Sequence, residues 1–329
     1  MRPRARARAV AALLLFAAAC TSEPRKEERM AAEVLGADAV KHCVGRFCLT
    51  VPAVMARSAD TFVVQGVTLE EVAWDRSAQD PWEAEWLKRL QYIEGLKSRR
   101  EAPTEAFGTI LEQRMFTPGS LKGVLYCPTE TTTLGMFGAI YNAGDGGLWL
   151  QVKTSVKNKD AAGAQLAEIA PAYHVTEPAV TPPRGAFYLV RGYLASPFKL
   201  AEEAHARFAG GPDKLDLGFS YETTFEPRTE GLMARFASAL EKSAATLFGG
   251  GARPIRSGKR KVAGLQGEEL VLHTSENGKE ALAFTWITPG EARSGKHPEI
   301  NIELTTPADR REERLRLWDA LLDEIKPAP

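Results

Sequence analysis

No charge of one sign dominates this chain: 42 Lys+Arg stand against 42 Asp+Glu over 329 residues, with no basic block outside the first eight. That absence removes the electrostatic footprint of a nucleic-acid binder. Long apolar runs are missing too. The N-terminal run Ala9 to Ala19 covers eleven residues, too few for a helix to span a bilayer core of about 30 Å. Histidine is scarce, at five, and cysteine scarcer, at four; none of them falls at Cys-x-x-Cys or His-x-x-x-His spacing. At 44% hydrophobic and 26% charged the composition excludes disordered and fibrous classes, and the length suits roughly two domains.

Catalytic signatures are also lacking. No Gly-x-Ser-x-Gly elbow occurs; the nearest string, Leu217-Gly218-Phe219-Ser220-Tyr221-Glu222, lacks the second glycine and lies in a predicted strand. Gly290 to Lys296 matches Gly-x-x-x-x-Gly-Lys, but His297 replaces the magnesium-binding hydroxyl and Pro298 precedes a strand where a P-loop needs a helix. His42, His174, His205, His273 and His297 include no pair at ligand spacing, so no metal and no cofactor are expected. Glu268 and Glu269 face opposite sides of a predicted strand and cannot work as an acid/base pair. Glu202 and Glu203 are expected on a helix, in solvent. The reading favours a binding protein over an enzyme.

What is present starts at the N-terminus. Arg2, Arg4, Arg6 and Arg8 precede the apolar run, as in a secretory signal over residues 1–19. Ala17-Ala18-Ala19-Cys20 resembles the bacterial lipobox, with Ala17 where that pattern usually has Leu. The resemblance implies an acylated Cys20 and an outer-membrane lipoprotein facing the periplasm, the membrane being touched only through that lipid; the alternative is an ordinary cleaved signal. Removing residues 1–19 takes four of the 42 basic residues and no acid, leaving 38 against 42. Residues 20–35 then read as lipidated N-terminus and charged tether.

In an oxidising compartment Cys43, Cys48 and Cys127 imply one disulfide and one odd thiol. Read as one strand from His42 to Pro52, the segment separates Cys43 from Cys48 by about 17 Å. The expected bridge is therefore Cys43 with Cys127, leaving Cys48 free.

Periodicity predicts two α+β domains, 36–178 and 184–329, each a mainly antiparallel sheet with helices on one face, divided by the proline-rich stretch 171–185. In the first, Asp80 caps a helix with Pro81 at its start, Glu83 completing a capping box, and Trp82, Trp86, Leu90 and Ile93 on its buried face. Strands follow at 110–116, 121–127, 131–141 and 148–154, the last two joined by the turn 142–147; 160–170 makes a short helix. In the second, a strand 187–194 leads to a helix from Ser196-Pro197 through Leu200, Ala204 and Phe208. A strand 215–223 and a helix 229–248 follow, then strands at 259–263, 268–273, 279–288 and 299–305, and a last helix starting at Thr306-Pro307. Each half ends in an alternating strand that leads to a helix, a weak internal echo.

Several strings together resemble the immunity proteins that protect Gram-negative bacteria from type VI secretion lipase effectors, specifically the family cognate to the fourth class of Tle phospholipase effectors. They are Cys43-Val44-Gly45-Arg46-Phe47 through Pro52, Phe187 to Leu194, Glu202-Glu203-Ala204, Asp216 to Ser220, Val262 to Leu270, Trp286 and Pro298 to Leu304. The resemblance implies a two-domain periplasmic protein that binds and blocks a cognate phospholipase. On the polar, Gly-rich hairpin tips 142–147, 275–278 and 289–297, the expected contact residues are Asn142, Asp145, Asn277, Arg293, Lys296 and His297. The competing function is an envelope scaffold or small-ligand binder.

Overall fold

The computed structural model describes residues 33–96, 108–117, 119–128, 134–176, 181–242, 252–276 and 279–329. The signal-like segment, Cys20, most of the tether and Asn277 lie outside these residues.

The chain opens with the hairpin β1 (Val40–Val44) and β2 (Phe47–Val51). Next come β3 (Met55–Val64), β4 (Val67–Val72), α1 (Pro81–Glu94), β5 (Ile110–Phe116), β6 (Leu121–Tyr126), β7 (Leu134–Asn142), β8 (Gly147–Ser155) and α2 (Lys159–Ile169). Three short strands follow, β9 (Tyr173–Val175), β10 (Phe187–Tyr188) and β11 (Gly192–Leu194). The remainder is β12 (Glu202–Gly210), β13 (Leu215–Glu222), α3 (Leu232–Lys242), β14 (Arg253–Val262), β15 (Leu265–Glu276), β16 (Lys279–Thr288), β17 (Glu299–Pro307), α4 (Arg311–Asp323) and β18 (Lys326–Pro327).

The α+β, antiparallel expectation holds. A 12-stranded sheet runs β14-β15-β16-β17-β13-β12-β3-β4-β8-β7-β6-β5 through both halves of the chain. The cross-strand row Ile300, Tyr221, Ala204, Phe62, Leu69, Leu150 and Ala139 shows its continuity. All seven belong to one core on the sheet's first face. Leu166 of α2, Trp318 and Leu321 of α4, and Phe47 and Leu49 of the hairpin close that core from the other side. On the second face α1 covers the first half: Trp86 and Ile93 pack with Val124, Tyr126, Ile140 and Trp149. Helices thus cover both faces of the first half.

Local signals built the most legible pieces. Asp80 caps α1, its side chain accepting from the Glu83 amide at 3.0 Å. Asn142 Oδ1 accepts from the Gly144 amide at 3.0 Å and the Ala143 amide meets the Gly146 carbonyl, closing the β7–β8 tip.

Three expectations are corrected. The disulfide joins Cys43 to Cys48, not to Cys127. The segment 42–52 is not one strand. Gly45, at φ 59°, supplies the left-handed first residue of a two-residue loop, so Cys43 lies directly opposite Cys48 with Cα atoms 3.9 Å apart. Cys127 is free and buried, and burial pushes its thiol pKa up. Secondly, 202–210 is a strand rather than a helix: Glu202, Ala204, Ala206 and Phe208 alternate inward while Leu200 is 42% exposed. The helical spacing of Leu200, Ala204 and Phe208 coincides with every second inward position of that strand. Finally, Thr306 and Pro307 end β17, and α4 starts at Arg311.

The double variant Cys43→Ser/Cys48→Ser is expected to lose roughly 2 kcal/mol of stability through the freed loop-closure entropy of the unfolded chain. Urea unfolding with and without reductant checks it: reductant should move the wild type onto the variant's curve.

Candidate protein-binding cleft

The hairpin tip is fixed by a buried charge pair. Glu202 is 0% exposed, and its carboxylate accepts from Arg46 Nε and Nη2, both at 2.6 Å, from Tyr221 Oη at 2.9 Å and from the Lys199 amide at 2.9 Å. Its own amide donates to Thr223 Oγ1. Arg46 Nη1 donates to the Gly185 carbonyl, and the guanidinium lies 5.7 Å from the Phe198 ring centre. Desolvation alone would depress the Arg46 pKa, yet the Glu202 hydrogen bonds and charge hold it above its ordinary value. Burial, then the Glu202 carboxylate, push the Tyr221 phenol far up, so it stays a donor. The expectation that Glu202 is a solvated helical residue is thus overturned: inward strand parity puts its carboxylate in the core, where it requires a cation.

Among the described residues no helix covers the second face of the central strands. Asn301, Ser220, His205 and Thr61 form one cross-strand row, and Glu303, Gly218 and Arg207 the next. None of these residues is buried, and together they line a shallow cavity of about 200 Å³. It lies between α1, over the first half, and α3, which packs against β15 with its Met233 amide donating to Glu268 Oε2 at 3.2 Å. Arg207 is held by Asp216 through Nε at 2.7 Å, and Asn301 Nδ2 donates to Glu303 Oε1 at 2.9 Å. The result is a polar strand floor flanked by two helices, in which Ser220 Oγ donates to the Asn301 carbonyl at 3.4 Å. Among the described residues no group of three or more His, Cys, Asp or Glu is placed to hold a metal.

The sheet is weakest where its halves meet. β3 and β4 share only the rungs Phe62–Leu69, Val63–Thr68 and Val64–Val67, next to a turn whose Gln65 and Gly66 have φ 56° and 77°. Beyond them β3 continues along β12 and β4 along β8, leaving a fork. Asp60, Thr61, Glu70, Glu71, Val190 and Arg191 are among the residues lining a cavity of about 530 Å³ there. Glu71 fastens one wall: its carboxylate accepts from Tyr173 Oη at 2.9 Å and from the amides of Val190 and Arg191 at 2.9 and 2.8 Å.

The expected contact residues are not gathered in one place. Asn142 and Asp145 sit at the β7–β8 tip, and Asn277 lies outside the described residues. Arg293, Lys296 and His297 occupy the β16–β17 connection, at the opposite strand ends, as the register of the intervening strands fixes. That connection folds on itself: His297 Nδ1 pairs with Glu291 at 2.7 Å, and the Arg293 amide reaches the Thr224 carbonyl. Strand and self-closed loop, with no helix N-terminus behind it, leave the Gly-x-x-x-x-Gly-Lys string no phosphate cradle. Glu268 and Glu269 do face opposite sides, Glu268 toward α3 and Glu269 toward Arg256 and Trp318 of the main core. Sequence reasoning missed Arg46 and the fork; the signal for Arg46 was a lone arginine beside the turn glycine Gly45.

Residues 189–329 match the family described as the Tle cognate immunity protein 4 C-terminal domain, the family the sequence resembles. In fold the chain is similar to immunity protein TplEi of the type VI secretion system (T6SS) from Pseudomonas aeruginosa in its apo form, at 19% identity and TM-score 0.71, over 88% of this chain and 97% of that one. A chain of the Tle4–Tli4 complex is similar at 19% identity and TM-score 0.73, over 89% and 98%. TplEi complexed with an "L" peptide is similar at 20% identity and TM-score 0.67, over 88% and 98%. No curated protein matches the chain by sequence.

Proposed function

We infer that this chain, which carries a Tle cognate immunity protein 4 C-terminal domain over residues 189–329, is an immunity protein that binds and blocks a cognate type VI secretion phospholipase effector. The family match carries the reading. The kinship in fold to a chain of the Tle4–Tli4 complex supports it. The protein performs no chemistry of its own: it obstructs the effector with the second face of β17, β13, β12 and β3, between α1 and α3. Cys20 anchors it by lipid in the periplasm, where an effector that attacks phospholipid would act. Because the β7–β8 tip and the β16–β17 connection lie at opposite strand ends, the floor between the helices, rather than the tips, makes the principal contact, with the fork at its side.

The test is affinity capture. The mature chain with Cys20→Ser is immobilised and extracts of the source organism are passed over it. A retained phospholipase that regains activity on dissociation is the expected result. With effector expression confirmed, specific partners that include no phospholipase would sink the reading and put an envelope scaffold in its place. Inhibitory determinants confined to residues 21–35 would sink the cleft as the contact surface.

A further inference from the structure

We propose that the fork between β3 and β4 is a strand-accepting slot, in which an extended segment of the effector pairs with the free edge of β3 over Ala56–Thr61. The inference rests on the immunity reading and adds the mode of recognition. β3 spans Met55–Val64 and pairs with β12 from Met55 to Val64 on one side, but on the other it meets β4 only from Phe62 onward. In an antiparallel ladder each strand presents half its amides and carbonyls to each side. Between Ala56 and Thr61 the half facing the fork therefore has no strand partner among the described residues. Those residues are exposed apart from the half-buried Arg57, whose guanidinium turns to Asp60 and the Cys43 carbonyl.

One outer edge of the same sheet is blunted: β14 carries Pro254, a register shift beside it, and Lys259 and Lys261. Lysines and prolines are among the devices by which sheets refuse a further strand. β3 has a register shift at Ser58 but no Lys or Pro between Met55 and Thr61, and its side chains there are mostly small: Ala56, Ser58, Ala59 and Thr61. The edge also opens on a cavity of about 530 Å³ whose far wall is the diverging β4. Asp60 and Glu70 on its walls are already paired with Arg57 and Arg89, whereas Glu71 is held only by a hydroxyl and two amides, so its charge favours a segment carrying Lys or Arg over an acidic one. Main-chain pairing would supply affinity and that carboxylate selectivity.

Hydrogen exchange with the full mature chain tests the slot. Alone, the fork-facing amides of Ala56–Thr61 should exchange far faster than the β12-facing ones; uniform protection in the free chain would overturn the proposal. On addition of the phospholipase recovered by capture, those amides should become protected while β14 stays unchanged. Tight binding without added protection there would overturn the slot and leave the immunity reading intact, whereas absence of binding would overturn both. Protection that appears without effector and grows with protein concentration would assign the edge to a second copy instead.

Discussion

Arg46→Ala should lower the unfolding free energy by about 3–5 kcal/mol, because it strands a carboxylate that has no access to water. Glu202 would keep the Tyr221 hydroxyl and the Lys199 amide, but its two charge-assisted bonds and their countercharge would be gone. Arg46 also donates to the Gly185 carbonyl, so the hairpin, the segment before β10 and the start of β12 would loosen together. The companion Arg46→Met/Glu202→Leu separates pairing from packing. If the cost comes from the unpaired charge, removing both charges should recover most of the loss. Urea unfolding reads it as a fall in midpoint at constant slope. A loss below about 1 kcal/mol for Arg46→Ala would mean that water reaches Glu202, contrary to its burial.

How far the sequence revealed this architecture depended on the distance over which each signal acts. The cap at Asp80 and the turn at 142–147 are short-range chemistry, and both stand as expected. Segment 202–210 failed because two periods share the positions of Ala204 and Phe208; pairing with β13 across the turn at 211–214 and with β3, some 140 residues away, selects the strand. The disulfide failed on a single residue: a positive φ at Gly45 reverses the chain and turns a 17 Å separation into an opposed pair. The cleft was illegible for a different reason. Thr61, His205, Ser220 and Asn301 occupy outward parity in four strands, a pattern that reads as ordinary solvated surface. That they form one row requires the whole strand order, and the fork requires knowing where β3 leaves β4.

Trp318→Ala carries the second large effect and tests whether the two halves are one cooperative unit. Trp318 is fully buried, its ring centre is 5.4 Å from that of Phe284, and its indole N–H donates to Glu269 Oε1, which also takes Arg256 at 2.6 Å. Removing the indole forfeits packing worth about 3–5 kcal/mol. It also withdraws a donor from a carboxylate that is 6% exposed. Trp318→Phe keeps most of the volume and loses the donor, so it should cost about 1–3 kcal/mol. The difference between the variants measures the ring's volume against its hydrogen bond. Because the core joins Leu166 and Leu150 of the first half to Trp318 and Phe284 of the second without a break, a defect under α4 is felt by every strand that shares it. Calorimetry should therefore show a single transition in the wild type, and Trp318→Ala should move all of it to lower temperature. Two transitions, with only one displaced, would mean that the three rungs between β3 and β4 insulate the halves and that the fork is a hinge between independently stable leaves.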